Sequence, residues 1–295
     1  MGTPLKDWDI QINYGIKTGY NDAFIISTEK RNEILANCKT EEERRKTEEL
    51  IRPILRGRDI KRYGYEWADL YLIATFPARH YNINDYPAVK DYLLSFAEDN
   101  LRDAGYDWVA DRYLADFCKQ KLSQTGKFVE IKGERIILGN TPEKARKKTS
   151  NKWFETQDSI SYWDLFFQPK ICWKAVGRNL TFAIVDSGIF LTAPASFISA
   201  GGSNKYLLAF LCSAIGKYYI YKNSETTGAG DIMLNIQSLI RFPIPKIKIS
   251  DMRLIENMID QISEKYDPML QSTIDSKIFS LYGFDKDEIK VINDV

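Results

Sequence analysis

Ile51-Arg52-Pro53-Ile54-Leu55-Arg56-Gly57-Arg58-Asp59-Ile60-Lys61-Arg62-Tyr63 is the stretch from which the rest of the chain is read. Arg52 to Arg62 holds five basic residues against Asp59 alone. Pro53 and Gly57 interrupt regular structure, so the stretch reads as a basic connector. Gly57 would let such a connector approach another backbone closely. On its N-terminal side, Glu29 to Leu50 is highly charged and rich in helix formers, predicting a surface helix or two. On its C-terminal side, Trp67 to Phe76 (WADLYLIATF) is aromatic and aliphatic enough for a core strand.

Further out, Ile10 to Ser27 reads as two strands joined by a polar turn, Lys17 to Asp22, with Phe24-Ile25-Ile26 as the apolar run after it. Val89, Leu93, Leu94, Ala97 and Leu101 share one face of an amphipathic helix. Short strands are expected at Lys170–Lys174, at Phe182–Val185 and at Phe197–Ser199, with a turn at Asp186-Ser187-Gly188. Asn204 to Tyr221 is apolar at helical spacing and predicts one buried helix, followed by the loop Thr226 to Gly230. The prolines of Phe242-Pro243-Ile244-Pro245 end the globular pattern. Leu254, Met258, Ile259 and Ile262 then mark a helix, and Ile274, Ile278, Leu281 and Tyr282 another. Gly283 stops that second helix, and Asp285 caps a fresh one. The sum is an α/β (α+β) chain: a mixed-sheet domain with flanking helices over residues 1–247 and a C-terminal helical region over 248–295.

The bulk numbers are those of a globular protein: 295 residues, 44% hydrophobic, 27% charged. A net charge of +1 hides opposed blocks. Lys119 to Lys152 has ten bases and three acids, whereas Ile83 to Asp116 has eight acids and three bases. Asp251 to Val295 has ten acids and five bases. Such blocks predict one basic face and acidic surfaces elsewhere. Cys38, Cys118, Cys172 and Cys212 form no CxxC pair, and His80 is the sole histidine, so a zinc site is not expected. Cys172 and Cys212 sit in apolar runs and read as small core residues. Without a signal-peptide pattern or an apolar run near membrane length, the expectation is a soluble cytoplasmic protein.

Several chemistries lack their residues. There is no GxxxxGK[ST] phosphate loop, no nucleophile elbow near His80, and no Asn-Pro-Pro-Tyr-type element for holding a flipped adenine. Glu130-Ile131-Lys132 has the Glu-x-Lys spacing of metal-dependent nucleases. On a strand, a carboxylate for magnesium and a lysine for water would share a face. Its acidic partner would have to be Asp111 or Asp116, and a salt-bridged exposed strand shows the same pattern. No catalytic residue is assigned.

Nucleic-acid binding needs cations for phosphates and polar or planar groups for bases. Arg52, Arg56, Arg58, Lys61 and Arg62 supply cations around Gly57, although a solvated basic loop has the same composition. Lys144, Arg146, Lys147, Lys148 and Lys152 form a second cluster beside Trp153 and Phe154, suited to backbone tracking with stacking. Thr226 and Thr227 open a small polar loop able to come close to DNA. Lys17 and Thr18 sit in a hairpin-like turn that could enter a groove. Tyr218, Tyr219 and Tyr221 read as packing residues with polar tips.

In order, these segments resemble the TaqI-like C-terminal specificity domain of adenine-specific DNA methyltransferases and bifunctional type IIG restriction-modification enzymes. The opening Ile16 to Ile26 is similar to the family's "TG.N.aFvi" string, and Ile51 to Tyr63 to its most recognisable one. Tyr71-Leu72-Ile73, Tyr86 to Leu93, Trp153 to Trp173, Leu207 to Ser213, Phe242 to Pro245 and Ile274 to Gly283 follow, covering roughly residues 10 to 290. The resemblance implies a domain that reads double-stranded DNA for a restriction-modification system. A methyltransferase domain, in cis or in trans, would use S-adenosylmethionine, with magnesium only where a nuclease is present. No cofactor is expected in this chain. Arg52, Arg56, Gly57, Arg58 and Lys61 carry over as motif positions. The acidic segment from Asp251 onward suits docking on a protein partner better than facing DNA.

Overall fold

Lys170–Lys174 forms the strand its sequence predicts, with Ile171, Cys172 and Trp173 fully buried. In the computed structural model, which describes residues 2–93, 95, 128–131, 134–137, 151–152 and 154–294, this strand lies inside a four-stranded sheet. Phe182–Val185 flanks it on one side and Ala195–Ser199 on the other, with Gln11–Tyr14 outermost. All three pairings are antiparallel, with Ala183 opposite Cys172, Cys172 opposite Phe197, and Ile198 opposite Ile12. Burial on both faces explains why Ile171-Cys172-Trp173 reads as an unbroken apolar run rather than an alternating one.

The chain divides into two compact units, Met1–Gly15 with Leu55–Ala68 and Tyr162–Val295, and Ile16–Ile54 with Asp69–Ser161. The first contains the sheet just described. The helix Asn204–Leu211, buried all round from Tyr206 to Leu211, packs against that sheet. Ile249–Glu264 adds Ile255, Ile259 and Ile262 at a spacing that keeps one face inward, and Pro268–Tyr282 adds Ile274 and Ile278. The C-terminal helices therefore share one core with the strands. Gly283 ends Pro268–Tyr282 in the left-handed conformation. Asp285 opens Lys286–Asn293 in a reciprocal capping box with Glu288, as the sequence predicts.

Two sequence expectations fail in this unit. Asn204 to Tyr221 is two helices, Asn204–Leu211 and Ala214–Asn223. Ser213 breaks the run because its hydroxyl accepts from the Gly216 amide at 3.2 Å, while the Asp275 carboxylate accepts from Ala214 N–H at 2.8 Å. Phe242 to Pro245 does not end the globular pattern either. Pro243–Ile244 pairs with Thr3–Pro4, and Tyr206 and Tyr282 donate to the carbonyls of Pro245 and Pro243.

The second unit has Leu70–Ile73 at the centre of its strands, antiparallel to Ile25–Ser27 and to Ile51–Leu55, whose last residue falls in the first unit. Ile51 to Leu55, expected as a connector, is thus a strand: its residues face a non-local partner that composition does not reveal. Thr28–Ala36 and Glu41–Leu50 are the expected charged helices. Thr40 caps the second, and the Glu43 carboxylate accepts from the Lys39 amide and also from the Ala88 amide at 3.0 Å. The helical residues 87–93 include Val89 and Leu93, while Leu94, Ala97 and Leu101 lie outside the described residues. The hairpin expected over Ile10 to Ser27 is not formed. Gln11–Tyr14 pairs with Ala195–Ser199 and Ile25–Ser27 with Leu70–Ile73, with a helical turn, Asn21–Phe24, before the latter.

Lys170 has no exposed surface, and its ammonium donates to the carbonyls of Phe166, Gln168 and Asp186 at 3.0, 3.2 and 3.1 Å. Burial pushes its pKa down from 10.5 to about 8, against the opposing pull of Cys172 and Asp186. A base whose pKa is lower folded than unfolded gives stability that is complete above about 10.5 and lost as pH falls through about 8. We expect the Lys170 contribution to the unfolding free energy, read as wild type minus Lys170→Met, to rise by about 2 kcal/mol between about pH 7.5 and about pH 10. This rise lies over the opposing titration of the buried Cys172 and Cys212 thiols that both chains share, and it holds whatever the variant's absolute stability. Parallel pH profiles in denaturant titrations of the two chains would refute the assignment.

Candidate nucleic-acid interface

In the first unit, Gly57–Asp59 makes one 3-10 turn directly after Ile51–Leu55. Asp59 is 6% exposed, and its carboxylate accepts from the Arg56 backbone amide at 2.8 Å, from Nε at 3.0 Å and from Nη2 at 2.8 Å. Burial pushes the Asp59 pKa up, but these hydrogen bonds outweigh it and hold the carboxyl below its ordinary value. The same bonds raise Arg56. Arg56 is therefore committed to an internal fork-to-fork pair.

Gly57 is buried for a different reason. A Cβ there would lie 3.0 Å from Lys174 Cγ, and one on Gly177 would lie 2.4 Å from Lys174 Cε. The Lys174 stem fills the space these two glycines leave open. Gly177 also pairs with Ile232, and Ile232 with Thr226, so the Gly57 turn and the Thr226 loop are joined across Val176–Gly177. Thr226 is exposed and Thr227 half-buried. Thr227 Oγ1 accepts from the Asp231 amide at 3.0 Å, and the Thr227 amide donates to the Asp231 carbonyl at 2.8 Å. With Gly230 at φ +81°, the expected loose loop is a tight hairpin tip.

Arg58 and Lys61 are exposed. The Lys61 ammonium lies 3.3 Å from the Arg58 carbonyl and 3.3 Å from the exposed Glu66 carboxylate, a pairing worth little in water. Arg62 braces the fold: Nη2 donates to the Cys212 carbonyl at 2.6 Å, and the guanidinium lies over the Tyr63 and Tyr266 rings.

In the second unit, Lys17, Thr18 and Lys152 are brought together by residues 151–158. Lys17 exchanges hydrogen bonds with Asp158, Thr18 O accepts from Gln157 N–H, and Glu155 bonds to Lys152 through backbone and carboxylate. Lys17 and Lys152 are exposed, but Thr18 is 1% exposed. Its hydroxyl accepts from the Tyr20 amide and donates to Asn21 Oδ1 at 2.6 Å. That local bonding starts the helical turn instead of a groove-directed hairpin tip. Arg52 is half-buried in its strand, opposite Leu72, and desolvation lowers its pKa. Lys147 and Lys148, with Lys144, Arg146 and Trp153, lie outside the described residues, as do Lys132, Asp111 and Asp116. Glu130 lies in the strand Phe128–Ile131, opposite Arg135.

Lys174 was missed from sequence because a lysine ending an apolar strand ordinarily faces water; Gly57, distant in sequence, joins the nearby Gly177 to give it a lodging.

Solved structures share this architecture. The type IIL restriction-modification enzyme MmeI, determined in complex with DNA, matches 99% of the chain with a TM-score of 0.56 and 12% identity. The fold is shared with restriction-modification enzymes. The type IIG restriction endonuclease BpuSI matches 99% of the chain with a TM-score of 0.53 and 10% identity. The chain spans 35% of the MmeI chain and 30% of the BpuSI chain, about a third of each. No family model and no curated protein sequence matches it.

Arg56→Ala leaves the buried Asp59 carboxylate with one backbone N–H, so we expect a stability loss on the order of 1–3 kcal/mol. A carboxyl with a lowered pKa stabilises above about pH 4 and loses that contribution as pH falls further. The gap between wild type and variant in urea unfolding should therefore narrow toward about pH 3. Equal midpoints at neutral pH would show that the pair contributes nothing.

Proposed function

We propose that the chain is a TaqI-like DNA target-recognition domain serving a restriction-modification enzyme, and that it binds double-stranded DNA in a sequence-specific manner. What carries this reading is the likeness in fold, over 99% of the chain, to MmeI, a restriction-modification enzyme whose structure contains DNA. The ordered run of family-like strings, Ile16 to Ile26 through Ile274 to Gly283, supports it independently. In this reading residues 1–247 carry recognition and 248–295 form a helical region on the same core. Adenine methylation with S-adenosylmethionine, and any magnesium-dependent cleavage, belong to a catalytic domain acting in cis or in trans.

Recognition is assigned to exposed groups of each unit: Arg58, Lys61 and the Thr226–Thr227 tip in one, Lys17 and Lys152 in the other. Arg56, Gly57, Arg62 and Thr18 hold the backbone that presents them, and Arg52, Lys147 and Lys148 complete the cationic set. No observation favours a nuclease built on Glu130 and Lys132.

Selection from a randomised duplex pool, at two salt concentrations and with or without S-adenosylmethionine, tests the proposal. We expect one short motif to be enriched, indifferent to the cofactor, with affinity falling steeply as salt rises. Arg58→Ala and Lys61→Ala should each weaken binding. A phosphate contact would lower the salt slope by about 1, whereas a base contact would relax one position of the motif. Failure to enrich any sequence would sink the proposal.

A further inference from the structure

A groove of about 700 Å³ lies wholly within the first unit, within the size range of ligand sites (roughly 300–1,000 Å³). Its floor is apolar, made by Leu180, Phe182, Leu211, Ile220 and Ile232. Around this floor stand three cations, Arg62, Arg178 and Lys217, against one carboxylate, Asp275. Arg62, Arg178 and Lys217 are all exposed, and Arg62 also donates to the Cys212 carbonyl. Asp275 is committed to the amides of Ala214 and Gln271, at 2.8 and 3.1 Å. The groove thus offers three exposed positive groups beside an apolar surface, with its one negative group already bonded. A smaller groove of about 460 Å³, among Pro268–Tyr282 and Lys286–Asn293, has no arginine or lysine among its described lining residues.

From this combination we infer that the larger groove binds a single nucleotide. Its base and sugar lie on the apolar floor, and its phosphate is held by Arg178 and Lys217. The flat face of a base suits the floor, and a phosphate matches the guanidinium fork of Arg178. Asn179, exposed, lies beside the floor and can hydrogen-bond a base edge, and Thr181, whose hydroxyl already donates to the Ile60 carbonyl at 3.0 Å, can accept from one. The nucleotide is either free or an unpaired residue of a DNA strand. The second source deepens the recognition reading and rests on it.

The experiment titrates the full chain with each of the four deoxynucleoside monophosphates and the matching deoxynucleosides. It also compares a paired duplex with one carrying a single unpaired nucleotide. We expect at least one monophosphate to bind at least about tenfold more tightly than its nucleoside. The double variant Arg178→Ala/Lys217→Ala should lose that phosphate advantage while leaving nucleoside binding within about twofold. Leu180→Glu should abolish binding of both, with circular dichroism confirming that each variant folds.

Preference for the unpaired nucleotide would identify a DNA strand as the source. Monophosphate binding without that preference would identify a free nucleotide. Absence of both, or binding unchanged in the double variant, overturns the inference. If that happens while paired duplex is still bound selectively, only this inference fails. If the groove binds a nucleotide but no paired duplex is bound, only the recognition reading fails.

Discussion

Burying the strand Lys170–Lys174 on both faces is the constraint on which the first unit depends. Ile171, Cys172 and Trp173 lose all contact with water between Phe182–Val185, Ala195–Ser199 and the helix Asn204–Leu211. That burial is the main favourable term available to a sheet. It leaves a lysine at either end, and an ammonium cannot enter an apolar core uncompensated. The two ends resolve this differently. Lys170 turns onto three carbonyls and so fixes Phe166, Gln168 and Asp186 around it. Lys174 runs through the space left by Gly57 and Gly177. Lys170 ties the segment just before the strand and the Asp186 turn to it, and Lys174 ties the Gly57 turn to it, so the loops around the strand follow from how its ends are accommodated.

The same logic explains the basic string at residues 52–62. Its charge reads as a surface offered to a polyanion, yet Arg56 grips the buried Asp59 and Arg62 binds the Cys212 carbonyl. Gly57 makes room for a lysine stem rather than for an incoming backbone. What makes the string recognisable is thus largely its work inside the fold. Arg58 and Lys61, between these anchored positions, are left at the surface.

Much of this fold was legible in sequence wherever the signal was local. Lys170–Lys174 and Phe182–Val185 could be read to the residue because short apolar runs end at polar neighbours. Gly283 and Asp285 carry their own capping chemistry and marked a helix junction correctly. The errors fall where a distant partner decides. Gln11–Tyr14 and Ile25–Ser27 look like a hairpin until their partners, Ala195–Ser199 and Leu70–Ile73, are known. Ile51–Leu55 looks like a connector until Leu70–Ile73 pairs with it. Ser213 was lost inside an apolar run because its cap depends partly on Asp275, far along the chain. For the candidate interface, sequence identified which residues are basic but not which are already engaged.

That distinction bears on how one fold is kept at 10–12% identity to MmeI and BpuSI. A side chain engaged internally, such as Arg56 with Asp59, changes only at the cost of an unsatisfied buried partner. An exposed side chain on the same turn, such as Arg58, changes at almost no cost in stability. A scaffold of this type therefore separates two kinds of position within a few residues of each other. Those that set the backbone are constrained by burial, and those displayed by it are constrained only by what they meet. Substitutions can then accumulate at Arg58, Lys61 and the Thr226 tip while Gly57, Asp59 and Lys174 keep the turn in place.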